Sequence, residues 1–92
     1  MDIQQKDDGR NGVFFIPANN ELLAEITYRI SEDLIIIDRT EVDATLEGKG
    51  GGKQLVNAAV EFAREKQINI LPHCSFVKHV FDLISQYNDV LK

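Results

Sequence analysis

The sequence predicts one domain of the α/β (α+β) class. Its sheet is mostly antiparallel with one parallel strand pair, one helix follows a glycine-rich loop, and a second helix lies at the C-terminus. Three observations lead there. Residues 22–30 alternate apolar and polar side chains with the period of a half-buried strand. Residues 54–66 place Leu55, Val56, Ala59, Phe62 and Ala63 on one helical stripe. Between these segments the run Leu46-Glu-Gly-Lys-Gly-Gly-Gly-Lys-Gln-Leu-Val56 sets four glycines directly before the helix.

Taken in order, Met1 to Arg10 has the polar, acidic composition of a flexible N-terminus, which leaves residues 11–92 for the single domain. Asn11-Gly12 is a turn signal before the short apolar strand Val13 to Ile16, and Pro17 to Glu21 reads as a connecting loop. Leu22, Ala24, Ile26, Tyr28 and Ile30 form the apolar side of the next strand. Ser31-Glu32-Asp33 closes a hairpin into Leu34 to Val42, whose first half is apolar on both faces and therefore belongs inside the sheet. Arg64 and Lys66 suit the negative end of the following helix. Asn69 to Leu71 is a short strand ended by Pro72, and a strand–helix–strand unit of this length pairs it in parallel with Leu34 to Val42. Phe76, Val77, Val80, Phe81 and Ile84 repeat at helical spacing as core residues, with Ser75 placed to cap their helix.

The totals bound the function. A chain of 92 residues suits one core and hides only roughly 60 to 65% of its unfolded surface. A net charge of −5 and a pI near 4.8 argue against a nucleic-acid surface, so any anionic ligand is bound locally. No apolar run approaches the ~18 to 20 residues that span a bilayer, and the start lacks a signal-peptide stretch, which gives a cytoplasmic expectation. Cys74 is the single cysteine, so no internal disulfide forms, and with only His73 and His79 a zinc site is poorly supplied.

Glycines before a helix offer bare amides to an anion such as a pyrophosphate. The nucleotide-triphosphate loop G-x-x-x-x-G-K needs a following Ser or Thr for magnesium, but the glycines here are one residue too close and Gln54 follows Lys53. The dinucleotide fingerprint needs glycine where Lys53 stands. A third loop fits: Gly48, Gly50 and Gly52 alternate as the strand hands over to the helix. In this the chain resembles the GNAT superfamily of acetyl-CoA-dependent N-acetyltransferases, whose loop R/Q-x-x-G-x-G/A maps onto Glu47 to Gly52 with Glu47 as a departure. Asp38-Arg-Thr-Glu-Val42, Ala63-Arg64, Pro72-His-Cys-Ser-Phe-Val77 and Gln86-Tyr-Asn-Asp-Val90 resemble a small single-domain GNAT subfamily in order and spacing.

The resemblance implies a GNAT-like sheet whose parallel strands splay to admit the cofactor, acetyl-CoA (coenzyme A). It implies cofactor-binding roles for Thr40, Val42, Glu47, Gly48, Lys49, Gly50, Gly51, Gly52 and Lys53, with Thr40 to Val42 pairing with the pantetheine arm like an added strand. It also places Cys74 at the mouth of the splay, as proton donor to the leaving thiolate or as nucleophile. Glu41 is the nearest carboxylate and the expected general base. The subfamily usually carries histidine at the position of Arg39, and arginine stays protonated at neutral pH. The expected function is acetyl transfer to an unknown amine, the alternative a non-catalytic acyl-CoA-binding or sensing module. The early helices of longer members are missing, so a protein partner is expected to complete the acceptor site. Neither nucleic acid nor membrane is expected as a partner.

Overall fold

Five strands lie in one sheet in their sequence order: β1 (Gln4–Asp7), β2 (Asn11–Ala18), β3 (Glu21–Ser31), β4 (Leu34–Val42) and β5 (Asn69–Pro72). The computed structural model describes residues 2–18, 21–46 and 48–92. Strands β1 to β4 are antiparallel, and β5 runs parallel to β4 from the Leu34–Asn69 pair to the Ile37–Pro72 pair. Helix α1 (Gly51–Lys66) connects β4 to β5, and α2 (Ser75–Leu83) follows β5. This is the α+β architecture the sequence predicts, with its parallel pair where the apolar pattern put it.

Both helices pack on one face of the sheet. Ile26, Ile35, Ile37 and Ile70 from the strands join Leu55, Val56, Ala59, Val60 and Ala63 of α1 and Val77, Val80 and Phe81 of α2 in one buried cluster. Phe15 and Ile36 alternate onto the far face, where Lys6 lies over the Phe15 ring at 5.5 Å. The C-terminal segment covers the outer edge of β5: Ile70 donates to the Val90 carbonyl at 2.6 Å, and Lys92 donates to Ile70 at 2.9 Å.

The N-terminal expectation is corrected, since residues 4–7 form β1 rather than a frayed end and pair with residues 12–15 of β2. Tyr28 explains this. It stands opposite Gly12 on the helix-covered face, its hydroxyl donates to the Asp7 carboxylate, and it accepts from Gln5 Nε2 at 2.7 Å. A β-carbon at Gly12 would overlap the Tyr28 ring, so glycine is what lets the phenol cross β2 and reach β1. Other boundaries also move: β2 runs Asn11–Ala18, taking in the expected Asn11-Gly12 turn and the start of the expected loop at Pro17, and β3 begins at Glu21. Helix α1 begins at Gly51, not Gln54, and the N-cap of α2 is Cys74, with Ser75 as its first helical residue.

One irregularity positions the site. Tyr28 pairs with Ile37 and Thr27 with Arg39, so Asp38 is an extra residue in β4, a β-bulge. The extra residue reverses which face the later side chains meet. Ile35 and Ile37 face the helices before it. Thr40 and Val42 do so after it, opposite Ile26 and Ala24, while Arg39 and Glu41 turn to the far face with Thr27 and Glu25. β5 ends in the same region: His73 N–H donates to the Ile37 carbonyl at 3.0 Å and the chain leaves the sheet. Among the described residues, β4 runs on from Asp38 to Val42 with β3 on one side and no strand on the other.

Candidate functional site

The stretch after β4 is shaped by two glycines in the left-handed region, Gly48 at φ +77° and Gly50 at φ +81°. Gly50 is the N-cap of α1, and its carbonyl takes the Gln54 amide at 2.9 Å. The Lys49 amide is committed to the Leu46 carbonyl at 3.0 Å. Gly51, Gly52 and Lys53 are the first three helical residues, which have no acceptor within the helix, and among the described residues no backbone carbonyl takes their amides. Three adjacent helix-start amides thus stand at the positive end of a four-turn helix, an end that favours negative charge.

These glycines form one wall of a groove of about 440 Å³. Gly48, Gly50, Gly51, Gly52 and Lys53 face Phe76, His79, Val80 and Leu83 of α2 across it, with Val42 and Leu46 closing the end. The fit at Gly52 is tight, since a β-carbon there would stand 2.7 Å from Phe76 Cζ and 3.3 Å from Val42 Cγ2. A β-carbon on Gly50 would meet no protein atom within 4 Å. On the other side of Lys53 lies a second recess of about 400 Å³, lined by Gly50, Lys53, Gln54, Asn57 and Tyr87. A third, of about 360 Å³, lies along the ends of β3 and β4 and includes Leu22, Glu25, Glu41 and Asp43.

Cys74 sits where β5 has departed from β4. Its half-buried sulfur lies 3.2 Å from Thr40 Oγ1, the thiol donating to the hydroxyl. Burial pushes the thiol up, but the Thr40 hydroxyl, the Val77 and Phe76 amides at the head of α2 and the Thr40 amide outweigh it, leaving the thiol below its ordinary value. The α2 amides favour the thiolate by their direction without closing a capping hydrogen bond. The Thr40 amide reaches the sulfur because β4 has an unpaired edge there.

The expected residues are thus distributed unequally. Val42, Gly48, Gly50, Gly51, Gly52 and Lys53 share the groove, and Thr40 holds Cys74. Lys49 is exposed and does not line the groove, and Glu47 lies outside the described residues. Glu41 faces away from Cys74 across β4, with its side chain 60% exposed and its Oε1 2.9 Å from Arg39 Nη2. The same arginine atom lies 3.6 Å from Glu25 Oε1. Sequence reasoning placed Phe76 in the core, yet it is 37% exposed on the groove wall, and it passed over His79, Leu46 and Leu83. Leu83, at 69% exposure, was the available signal: an apolar residue one turn beyond His79 that the α2 core stripe does not use.

Comparison with known proteins follows the same lines. Residues 13–90 match the sequence profile of the GCN5-related N-acetyl-transferase family. The fold resembles a GCN5-like protein from Staphylococcus aureus, at 41% identity and a TM-score of 0.81, covering 99% of this chain and 87% of that one. An aminoglycoside acetyltransferase from an uncultured soil metagenomic sample superposes with a TM-score of 0.67 at 20% identity, over 88% of this chain and 59% of its own. An IAA acetyltransferase from Bacillus cereus gives 0.64 at 19% identity, over 80% and 53%. The last two share the fold, and this chain spans little more than half their length. No curated protein sequence matches significantly. The glycine loop, the open edge of β4 and the match over residues 13–90 lead to one assignment: the chain belongs to the GCN5-related N-acetyltransferase family.

Proposed function

We propose that the domain binds acetyl-CoA in the groove between the glycine loop and α2 and transfers the acetyl group to an amine. The observation that carries this is the junction of three features at one place: the β4 edge from Asp38 to Val42, which no strand pairs among the described residues, the helix-start amides of α1, and the Cys74 sulfur held by Thr40. The residues present fit the cofactor. Gly51, Gly52 and Lys53 amides would hold its diphosphate, Val42, Phe76 and Leu83 offer apolar wall to its pantetheine arm, and the glycine at 50 leaves the approach open.

Bound acetyl-CoA supplies an acyl group activated as a thioester. The chain supplies the proton inventory. Cys74, with its depressed thiol, is suited to give a proton to a departing thiolate or to act itself as a thiolate nucleophile. Glu41, on the far face of β4, would take the proton of an ammonium arriving there once Arg39 releases it. A partner protein would complete the acceptor site on the far face of the sheet, beside Glu41.

The decisive experiment incubates the domain with acetyl-CoA and a panel of amines, following free thiol. Release well above the protein-free rate supports transfer. CoA binding by calorimetry without turnover on any amine would favour a module that only holds acyl-CoA, and absence of CoA binding would refute the assignment of the groove.

A further inference from the structure

The helices cover one face of the sheet, and the other carries a pattern of its own. Phe15 and Ile36 are only 8% and 7% exposed there, yet neither belongs to the cluster under the helices. Val13, Leu34 and Leu71, which alternation and register place on the same face, are half-buried.

The charges on this face are sorted by row. Gln4, Phe15, Glu25 and Glu41 stand opposite one another across β1 to β4 and make an acidic row. Two residues along the strands, about 7 Å away, Lys6, Val13, Thr27 and Arg39 make a basic one. Asp38 reaches Arg29 from the bulge at 3.3 Å, which brings the face to three bases and three acids among the described residues. The chain as a whole carries a net charge of −5, so its excess acid lies elsewhere. This balanced face is where two copies of an acidic protein can meet without repulsion.

The rows also fit a second copy in detail. A two-fold axis running across the strands between them sets the acidic row of each sheet over the basic row of the other. Phe15 then packs on Val13, and Arg39 of each copy meets Glu41 of the other. Arg39 Nη2 lies 2.9 Å from Glu41 and 3.6 Å from Glu25 of its own chain, but a guanidinium has five N–H donors and can hold carboxylates on both sides. The molecule measures 34 × 30 × 19 Å, the short dimension being one sheet and one layer of helices. Its broad face is large enough for the roughly 800 Å² that each partner buries in a standard interface.

We infer that the far face of the sheet is a dimer interface, on which two copies stack face to face with Phe15 on Val13 and reciprocal Arg39–Glu41 pairs. The inference uses neither the groove nor Cys74, so it stands apart from the CoA reading. It makes the protein that closes over Glu41 a second copy of this chain.

Sedimentation equilibrium of the full chain tests it. The mass should rise with concentration towards twice the 10.4 kDa of one chain. Arg39→Glu and Glu41→Arg each set like charges against one another across the interface and should weaken association about tenfold or more. An equimolar mixture of the two variants should recover it, because every reciprocal pair is again opposite in sign. Both side chains are well exposed in the single chain, 63% and 60%, so each variant should keep its fold, which a thermal melt at low concentration checks. A wild-type chain that keeps the mass of one copy at every concentration would overturn the inference and leave the face to a different protein. A dimer that tolerates both single variants, or a mixture no more associated than its components, would overturn it as well.

Discussion

Adding a single methyl group at Gly52 separates the groove from the fold. The new β-carbon would stand 2.7 Å from Phe76 Cζ and 2.9 Å from Cε2, with Val42 Cγ2 at 3.3 Å behind it. Restoring an ordinary carbon contact of about 3.5 Å requires the ring tip to move by roughly 0.8 Å. The groove is the open side, so the ring moves into the space proposed for the pantetheine arm. For stability two terms oppose each other. Glycine to alanine in a helix is worth up to about 1 kcal/mol, and pushing the ring off its rotamer costs about 0.5 to 1.5 kcal/mol. Gly52→Ala should therefore melt within a few degrees of wild type while CoA affinity falls by about tenfold, ~1.4 kcal/mol. Calorimetry and a thermal melt measure the two quantities. In a Phe76→Leu background the collision disappears, so the same methyl group should cost CoA binding little, and the double-mutant cycle isolates the contact. The reasoning fails if Gly52→Ala binds CoA as wild type does, or if its deficit persists undiminished in the Phe76→Leu background.

Three further outcomes follow from other contacts. Thr40→Val removes a hydroxyl that favours the Cys74 thiolate, so the thiol rises towards its ordinary value and the pH midpoint of Cys74 alkylation moves up; an unmoved midpoint would exclude Thr40 as the cause. Tyr28→Phe loses the contacts to Asp7 and Gln5 and should cost about 1 kcal/mol, with faster amide hydrogen exchange confined to residues 4–7. Arg64 joins α1 to the C-terminal segment through Asp89 at 2.8 Å and the Gln86 carbonyl at 2.7 Å, so Arg64→Met should lower the melting temperature. The Asp89 carboxyl is held below the usual range by its hydrogen bond to Arg64, and a depressed carboxyl stabilises above its unfolded value and loses that effect as pH falls through its folded one. The gap between wild type and Arg64→Met should therefore narrow at acid pH.

Much of this protein was legible in its sequence because periodicity reports burial directly. The alternation of residues 22–30, the stripe of α1 and the apolar run that opens β4 fixed the strands, the helix and the parallel pair, and each depends on contacts that local pattern already encodes. The glycines and the match of motifs identified the loop. Tertiary structure decided the rest. Gln4 to Asp7 carry no strand signal, and they pair because a phenol three strands into the sequence reaches them past Gly12. No propensity marks Asp38 as a bulge, yet that one residue turns Thr40 and Val42 towards Cys74 and the groove and sends Arg39 and Glu41 to the opposite face. Phe76 follows the α2 apolar period, but the missing side chain at Gly52 is what gives its ring a place on the groove wall. These placements are set by register and by contacts between segments far apart in the chain, which no window of local sequence contains.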